Sequence, residues 1–307
     1  MTSVMKGGFG APVSGGHTNG HANTGTEFLA VIPPLGSALD GYDNTKPCSQ
    51  QTINVPQTFR DAMAVREAVY GEQGIPLEAE FDEDDARSWH WVAYASVAAH
   101  SAMPPKRMRP SHANTPADDA RRASATAIRV PVATIRMIPP PHGPNQYIIV
   151  NADNTRDTHP AADAPQPTAD ASHPLEAHVK LGRLAALKAY RGLGLAKLLI
   201  NSALDFATLN PDKVYSPPSP TALEKAQMQG SHRDREILWQ GLVMIHAQLH
   251  LKPMWEKHGF HEELKNDHGE VEIPAQPHWM EEGIEHMGLW KRLPVERKRL
   301  SVTSLEG

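Results

Sequence analysis

Apolar positions recur along this chain in short, separated bouts. Residues 28–33, FLAVIP, form a β-prone run that Pro33 and Pro34 bring to an end. From Thr58 the pattern TFRDAMAVREAVYGEQG sets Phe59, Ala62, Met63, Val69 and Tyr70 on one face, with a threonine before it and a glycine after it, and so predicts a helix. Arg66 falls inside that stripe. Its guanidinium is expected to reach past the core to water, the alternative being an acidic partner. WHWVAYASV (89–97) and ATIRMI (133–138) read as strands two and three, and VKLGRLAAL (179–187) as a fourth. Leu195, Leu198, Leu199, Ala203 and Phe206 recur at helical spacing and predict a helix from Leu195 to Leu209. LVMIHAQ (242–248) reads as a strand with a polar end, PMWEKHGF as a short helix stopped by Gly259, and Ile284 to Leu293 as the last strand. Strand, helix, three strands, helix, strand, helix, strand is a mixed α/β order, whose crossovers require some parallel pairing.

Between these bouts lie stretches that cannot pack. Residues 1–26, rich in glycine, threonine, asparagine and histidine, have no apolar period, and their burial could not offset the entropy of ordering them; a disordered leader is expected. Insertions near 101–127, 139–177 and 210–235 hold much of the chain's 27 prolines. Loop-closure cost grows slowly with length, so one core tolerates all three, and a single domain over residues 27–300 is the expectation. No internal repeat is visible.

A formal net charge of −5 gives no global pull towards nucleic acid or an anionic membrane, which turns attention to small-molecule chemistry. Cys48 is the one cysteine, so neither an intramolecular disulfide nor a thiolate metal cluster can form. MTSVMKGGFG lacks the apolar core of a signal peptide, and no run approaches the ~20 apolar residues that span a bilayer. A soluble, cytoplasmic protein is expected, either monomer or homodimer.

One junction is chemically distinctive. RGLGLA (Arg191, Gly192, Leu193, Gly194, Leu195, Ala196) lies where a predicted strand ends and a predicted helix begins. Helix N-termini present unpaired N–H groups and partial positive charge, and glycines let a ligand approach that backbone, so a diphosphate is the expected guest, with Arg191 adding a fixed charge. A dinucleotide fingerprint fits poorly, because Lys197 stands where GxGxxG needs its third glycine.

With Arg191, Gly194 and Ala196 in this setting, the chain resembles the GNAT superfamily of N-acetyltransferases, whose fingerprint is Arg or Gln, two residues, Gly, one residue, then Gly or Ala. HAQLHLKPMWEKHGF (246–260) looks like the family's next strand and helix. MEEGIEHMGLW (280–290) resembles the final strand of a fungal-type small-molecule subgroup with an EEGIxH signature, and VREAVYGEQGIPLEAEFDEDDARSWHWVAY (65–94) resembles that subgroup's front half. The resemblance implies a GNAT fold: a mixed twisted sheet splayed between strands four and five, helices on both faces, and the acyl-CoA arm in the gap. It implies that backbone groups of Arg183, Leu184, Ala185, Ala186 and Leu187 pair with the pantetheine amides like an added strand. It further implies that Arg191, Gly192, Leu193, Gly194, Leu195, Ala196 and Lys197 hold the pyrophosphate of acetyl-CoA, the co-substrate. Gln248 takes the place of the usual Asn beside pantetheine. Trp255 stands where many members have a tyrosine thought to protonate the leaving thiolate, a role indole cannot fill; packing beside the cofactor is its expected role.

An amine arrives mainly as ammonium, so something must take a proton before or during attack. EAEFDEDD offers Glu78, Glu80, Asp82, Glu83, Asp84 and Asp85, to be read either as a solvated acidic loop or as one with one or two members turned inward to bind a cationic substrate. Glu80 and Asp82 sit where the subgroup places its acidic pair and are the catalytic candidates, with His286 of the EEGIEH segment. Glu282, His90 and His246 are candidates for substrate binding. No HExxH pattern accompanies the 17 histidines, and no metal is expected. These readings lead to an N-acetyltransferase of a small polar amine, an amino sugar such as glucosamine first. Peptide or protein acetylation and a non-catalytic acyl-CoA sensor stay open as alternatives.

Overall fold

The computed structural model describes residues 28–98, 127–143, 145, 147, 149–150, 156–157, 176–215 and 239–295. The expected leader, and most of the three expected insertions, lie outside the described residues. The main strands are β1 (Leu29–Ile32), β2 (Trp89–Ala98), β3 (Ala127–Ile138), β4 (Val179–Ala186), β5 (Leu242–Gln248), β6 (Trp279–Glu281) and β7 (Ile284–Arg292). They form a mixed seven-stranded sheet in the order β1, β2, β3, β4, β5, β7, β6. The longer helices are α1 (Gln57–Gly71) and α2 (Leu195–Leu209). The fold is therefore mixed α/β, as the order of apolar runs predicts.

The chain divides into two compact units, one of residues 1–135 and 183–199, the other of 136–182 and 200–307. In the first unit β1 pairs antiparallel with β2, Leu29 opposite Ala93 and Ile32 opposite His90. Helix α1 begins at Gln57, one residue earlier than expected, because Pro56 is extended and lacks the N–H a preceding turn would use. Phe59, Ala62 and Met63 of its apolar face close on Ala30, Ile32, Val92 and Tyr94. Each large side chain buried this way stabilises the unit by about 1.5–3 kcal/mol. Val65 and Val69, a quarter-turn round the helix, pack on Ala185 of β4.

Arg66 overturns its expected reach to water. It is fully buried, and both Nη atoms donate to Asp85, at 2.7 and 3.2 Å. A guanidinium inside an apolar stripe is sustained here by a carboxylate delivered to it, the costly alternative being an unpaired buried charge.

In the second unit β5 and β7 run antiparallel from Leu242 opposite Arg292 to Gln248 opposite His286. The last strand, β7, spans Ile284–Arg292 as expected, and a short strand not anticipated, β6, precedes it in a hairpin. Glu282 and Gly283 both have positive φ (48° and 75°), the two-residue turn that matches strand twist, and Glu281 pairs with Ile284 across it. Leu242, Met244, Leu264, Ile273 and Trp290 form a core in this unit, and Arg292 ties β7 to Glu176 and Glu272 through close guanidinium–carboxylate pairs. β4 and β5 pair in parallel over Val179–Leu181 and Val243–Ile245. The ladder stops there, while β4 continues to Ala186 and β5 to Gln248.

Candidate functional site

The first unit contains β4 beyond its ladder, the turn after it, and the start of α2. Lys188–Tyr190 form a 3-10 turn, and Gly192 and Gly194 follow at φ 79° and 81°. A Cβ built on either glycine meets nothing within 4 Å, so glycine is required by the left-handed backbone and not by crowding. Leu198 N donates to Gly194 O at 3.0 Å, which places the amides of Leu195, Ala196 and Lys197 ahead of the helical ladder. The positive end of the α2 dipole lies at the same place. Arg191 is half-exposed and folds back: its Nε donates to Ala186 O at 3.0 Å, and an Nη lies 3.9 Å from Glu72.

Upstream, Arg183 adopts φ 52° within a strand, a conformation that costs a non-glycine residue roughly 1–2 kcal/mol. Its Nη2 donates to Ala79 O at 2.8 Å and to Asp82 Oδ2 at 3.0 Å. Leu184 O accepts from Tyr70 of α1 at 3.3 Å, and Leu187 N donates to Val132 O of β3 at 2.9 Å. Ala185 is buried.

The acidic run is partly exposed and partly buried. Glu78 and Glu83 are exposed, Asp82 and Asp84 are half-buried, and Glu80 and Asp85 are buried. Asp82 caps the 3-10 turn Glu83–Arg87: it accepts from Asp84 N, while its own N–H donates to Asp85 Oδ2, both at 3.0 Å. That capping box turns Asp85 inward to Arg66. Glu80 is 1% exposed, and neither of its oxygens accepts a hydrogen bond. Its nearest charge is Arg66, whose Nε lies 3.5 Å from Oε2. Burial holds the Glu80 carboxyl above its ordinary range, opposed by the positive charges of Arg66 and Arg183.

The structure thus gathers Glu80, Asp82 and Arg183 in one place. Asp85 and Arg66 complete the cluster, and sequence reasoning picked neither. Their signal was present: an acidic residue three positions after a capping aspartate, and an arginine in an apolar stripe that needed a partner. His90 is buried behind this cluster, its Nε2 3.2 Å from Asp85 O and its ring edge-on to Phe59.

The remaining candidates belong to the second unit. His246 meets Trp279 edge to face at 4.6 Å, and His286 lies nearly parallel to that indole at 6.4 Å. His286 Nδ1 is 2.8 Å from Ile284 O, a bond that only an Nδ1–H can donate. Glu282 occupies the hairpin turn. Gln248 stands opposite His286, and Trp255 is buried with its ring edge-on to Phe260 at 5.4 Å. Cys48 is buried in the first unit, and burial together with the Glu67 carboxylate pushes its thiol up to about 12, far from a reactive thiolate at neutral pH. Among the described residues no group of three His, Cys, Asp or Glu side chains is arranged to hold a metal, and no helix is long and apolar enough to cross a membrane.

No family model matches the chain, and no curated protein does. Among solved structures it is similar to a candidate N-acetyltransferase from Lactobacillus plantarum, at 17% identity, covering 87% of this chain and 99% of that one, with a TM-score of 0.39. It is also similar to an acyl-CoA N-acyltransferase from Pseudomonas aeruginosa, at 15% identity, covering 80% and 95%, with a TM-score of 0.37. A third is ElaA of Escherichia coli, at 17% identity, covering 80% and 95%, with a TM-score of 0.37.

Proposed function

We propose that this chain is an acetyl-CoA-dependent N-acetyltransferase acting on a small polar primary amine, with the segment Arg183–Lys197 holding the co-substrate and Glu80 accepting the amine's proton. The observation that carries the reading is the coincidence, in one compact unit, of a glycine-paired helix start and a buried carboxylate, Glu80, beside Arg66. The residues present fit the co-substrate's chemistry. Amides ahead of the α2 ladder suit a diphosphate. The outer edge of β4, where the ladder to β5 has ended, suits the paired amides of a pantetheine arm.

In the reaction proposed, the amine nitrogen attacks the thioester carbonyl carbon, the C–N bond forms, the C–S bond breaks, and the electron pair leaves on sulfur. Glu80 takes one proton from the ammonium so that its nitrogen can attack; the second N–H proton passes to solvent as the tetrahedral adduct collapses, and the thiolate is protonated by water. A carboxylate whose proton affinity is raised by burial suits that task better than a solvated one, because its pKa moves towards working pH. Arg66 opposes that burial by favouring the ionised form of Glu80. The amine class follows from an anionic, buried acceptor that suits an ammonium group. An amino sugar heads the panel of candidates.

The test is free-thiol release from acetyl-CoA with glucosamine, a polyamine, an aminoglycoside and peptide N-termini as acceptors. Release with a small amine is expected, and Glu80→Gln should lower kcat by about 10²–10⁴-fold while acetyl-CoA affinity stays within about twofold. Thiol release with no amine, or a fully active Glu80→Gln variant, overturns the reading; release with peptides alone transfers it to protein substrates.

A further inference from the structure

Resting on the acyltransferase reading above, we infer that Arg183 is a positioning residue: its guanidinium fastens the loop carrying Glu80 to the strand proposed to carry the acyl donor. The loop lies between two short 3-10 turns, Leu77–Ala79 and Glu83–Arg87, and has little regular structure of its own to hold it. From the front of the unit it is tied by Asn44, which donates to Glu78 O at 3.1 Å, and by Tyr42, whose ring stacks on Phe81 at 4.1 Å. From α1 it is tied by Arg66 to Asp85. The tie from β4 is Arg183, which reaches Ala79 O immediately before Glu80 and Asp82 Oδ2 two residues after it, across more than a hundred residues of sequence. One nitrogen therefore brackets the proposed base.

The backbone supports a role for this side chain beyond packing. Arg183 holds φ 52°, although a glycine at this position would adopt that conformation freely, and Gly182 stands next to it. Strained non-glycine positions persist where the surrounding contacts over-determine them, and these two hydrogen bonds are such contacts. Arg183 is only partly exposed, as is Asp82, so the pair is a fixed joint between strand and loop and not a solvated surface pair. A planar guanidinium suits this better than an ammonium, because its donors are fixed relative to one another.

Arg183→Gly separates the side chain from the backbone, since glycine keeps the left-handed conformation and deletes the clamp. With the amine that the wild type acetylates, kcat should fall about ten- to a hundredfold, with KM for acetyl-CoA within about twofold, as misplacement of a base does. The pH profile supplies a readout that simple loosening would not move. Glu80 is faced by Arg66 from α1, Arg183 from β4 and Asp85 from the following turn. Losing the Arg183 charge should move the acid limb of kcat/KM to higher pH, and Arg183→Lys should return that limb to its wild-type place while recovering only part of kcat. If Arg183→Gly does not fold, Asp82→Asn, which still caps the turn but weakens the joint, should show the same kcat loss at unchanged KM. Wild-type kcat in these variants, an equal fall in acetyl-CoA affinity, or a lysine variant whose acid limb stays with glycine's would overturn the inference. Complete absence of wild-type turnover would defeat the acyltransferase reading instead, so the two failures are distinguishable.

Discussion

Replacing Arg66 with methionine keeps most of the side chain's volume and removes its charge from a place where two carboxylates depend on it. Arg66 donates to Asp85 at 2.7 and 3.2 Å and lies 3.5 Å from Glu80, and none of the three side chains is more than 2% exposed. Breaking a buried pair from one side costs about 3–5 kcal/mol, because the abandoned charge cannot reach water. The sign of the pH dependence follows from Glu80. A carboxyl held above its ordinary value of about 4.5 contributes stability that is fully present below that value and lost as pH rises through the folded one. Arg66 limits that loss, so its removal lifts Glu80 further, and the variant's deficit should be largest at pH 8 and shrink towards pH 5. Urea unfolding followed by tryptophan fluorescence at pH 8, 6.5 and 5 measures this. A deficit below about 1 kcal/mol at pH 8, or one that grows on acidification, would show that Arg66 is solvated as its sequence position first suggests.

Two further outcomes come from other parts of the molecule. Gly241→Ala should cost at least about 2 kcal/mol in thermal unfolding, since the new Cβ would lie 2.2 Å from the backbone oxygen of Leu293 at φ 90°, whereas Gly288→Ala meets side chains alone, Gln276 at 2.6 Å and Met244 at 3.6 Å, and should cost about 1 kcal/mol or less. Equal losses would mean that the Gly241 backbone can yield. Cys48, buried and pushed up to about 12, should resist an aromatic disulfide reagent at pH 8 in the folded protein and react on denaturation; rapid labelling of the native protein would contradict its placement.

The elements with strong local periodicity were legible in the sequence. The apolar face of α1, the run Leu195–Leu209 and the Arg191–Ala196 turn stand where their patterns predict, because the glycines and the 3.6-residue spacing are themselves the physical cause of the structure. What escaped reading depends on distant partners. β3 starts at Ala127, six residues earlier than expected, through a stretch containing Arg129 and Pro131. Ile128, Val130 and Val132 alternate there, but Pro131 interrupts the run and counts against a strand, and Arg129 is settled by the Tyr94 ring at 4.3 Å. The short strand Trp279–Glu281, which opens the hairpin into β7, went unread, because three residues are too few to show a period. Of the two carboxylates expected to turn inward, Glu80 is buried, whereas Asp82 is half-buried and caps a turn. Asp85 was not picked, since six neighbouring carboxylates look alike until Arg66 selects among them.

The central claim is that the backbone between Arg191 and Lys197 grips the diphosphate of an acyl-CoA. A crystal structure of the full chain with acetyl-CoA tests it most directly. Diphosphate oxygens are expected within hydrogen-bond distance of the amides that open α2. A nucleotide bound elsewhere, with this turn contacting none of it, would contradict the account.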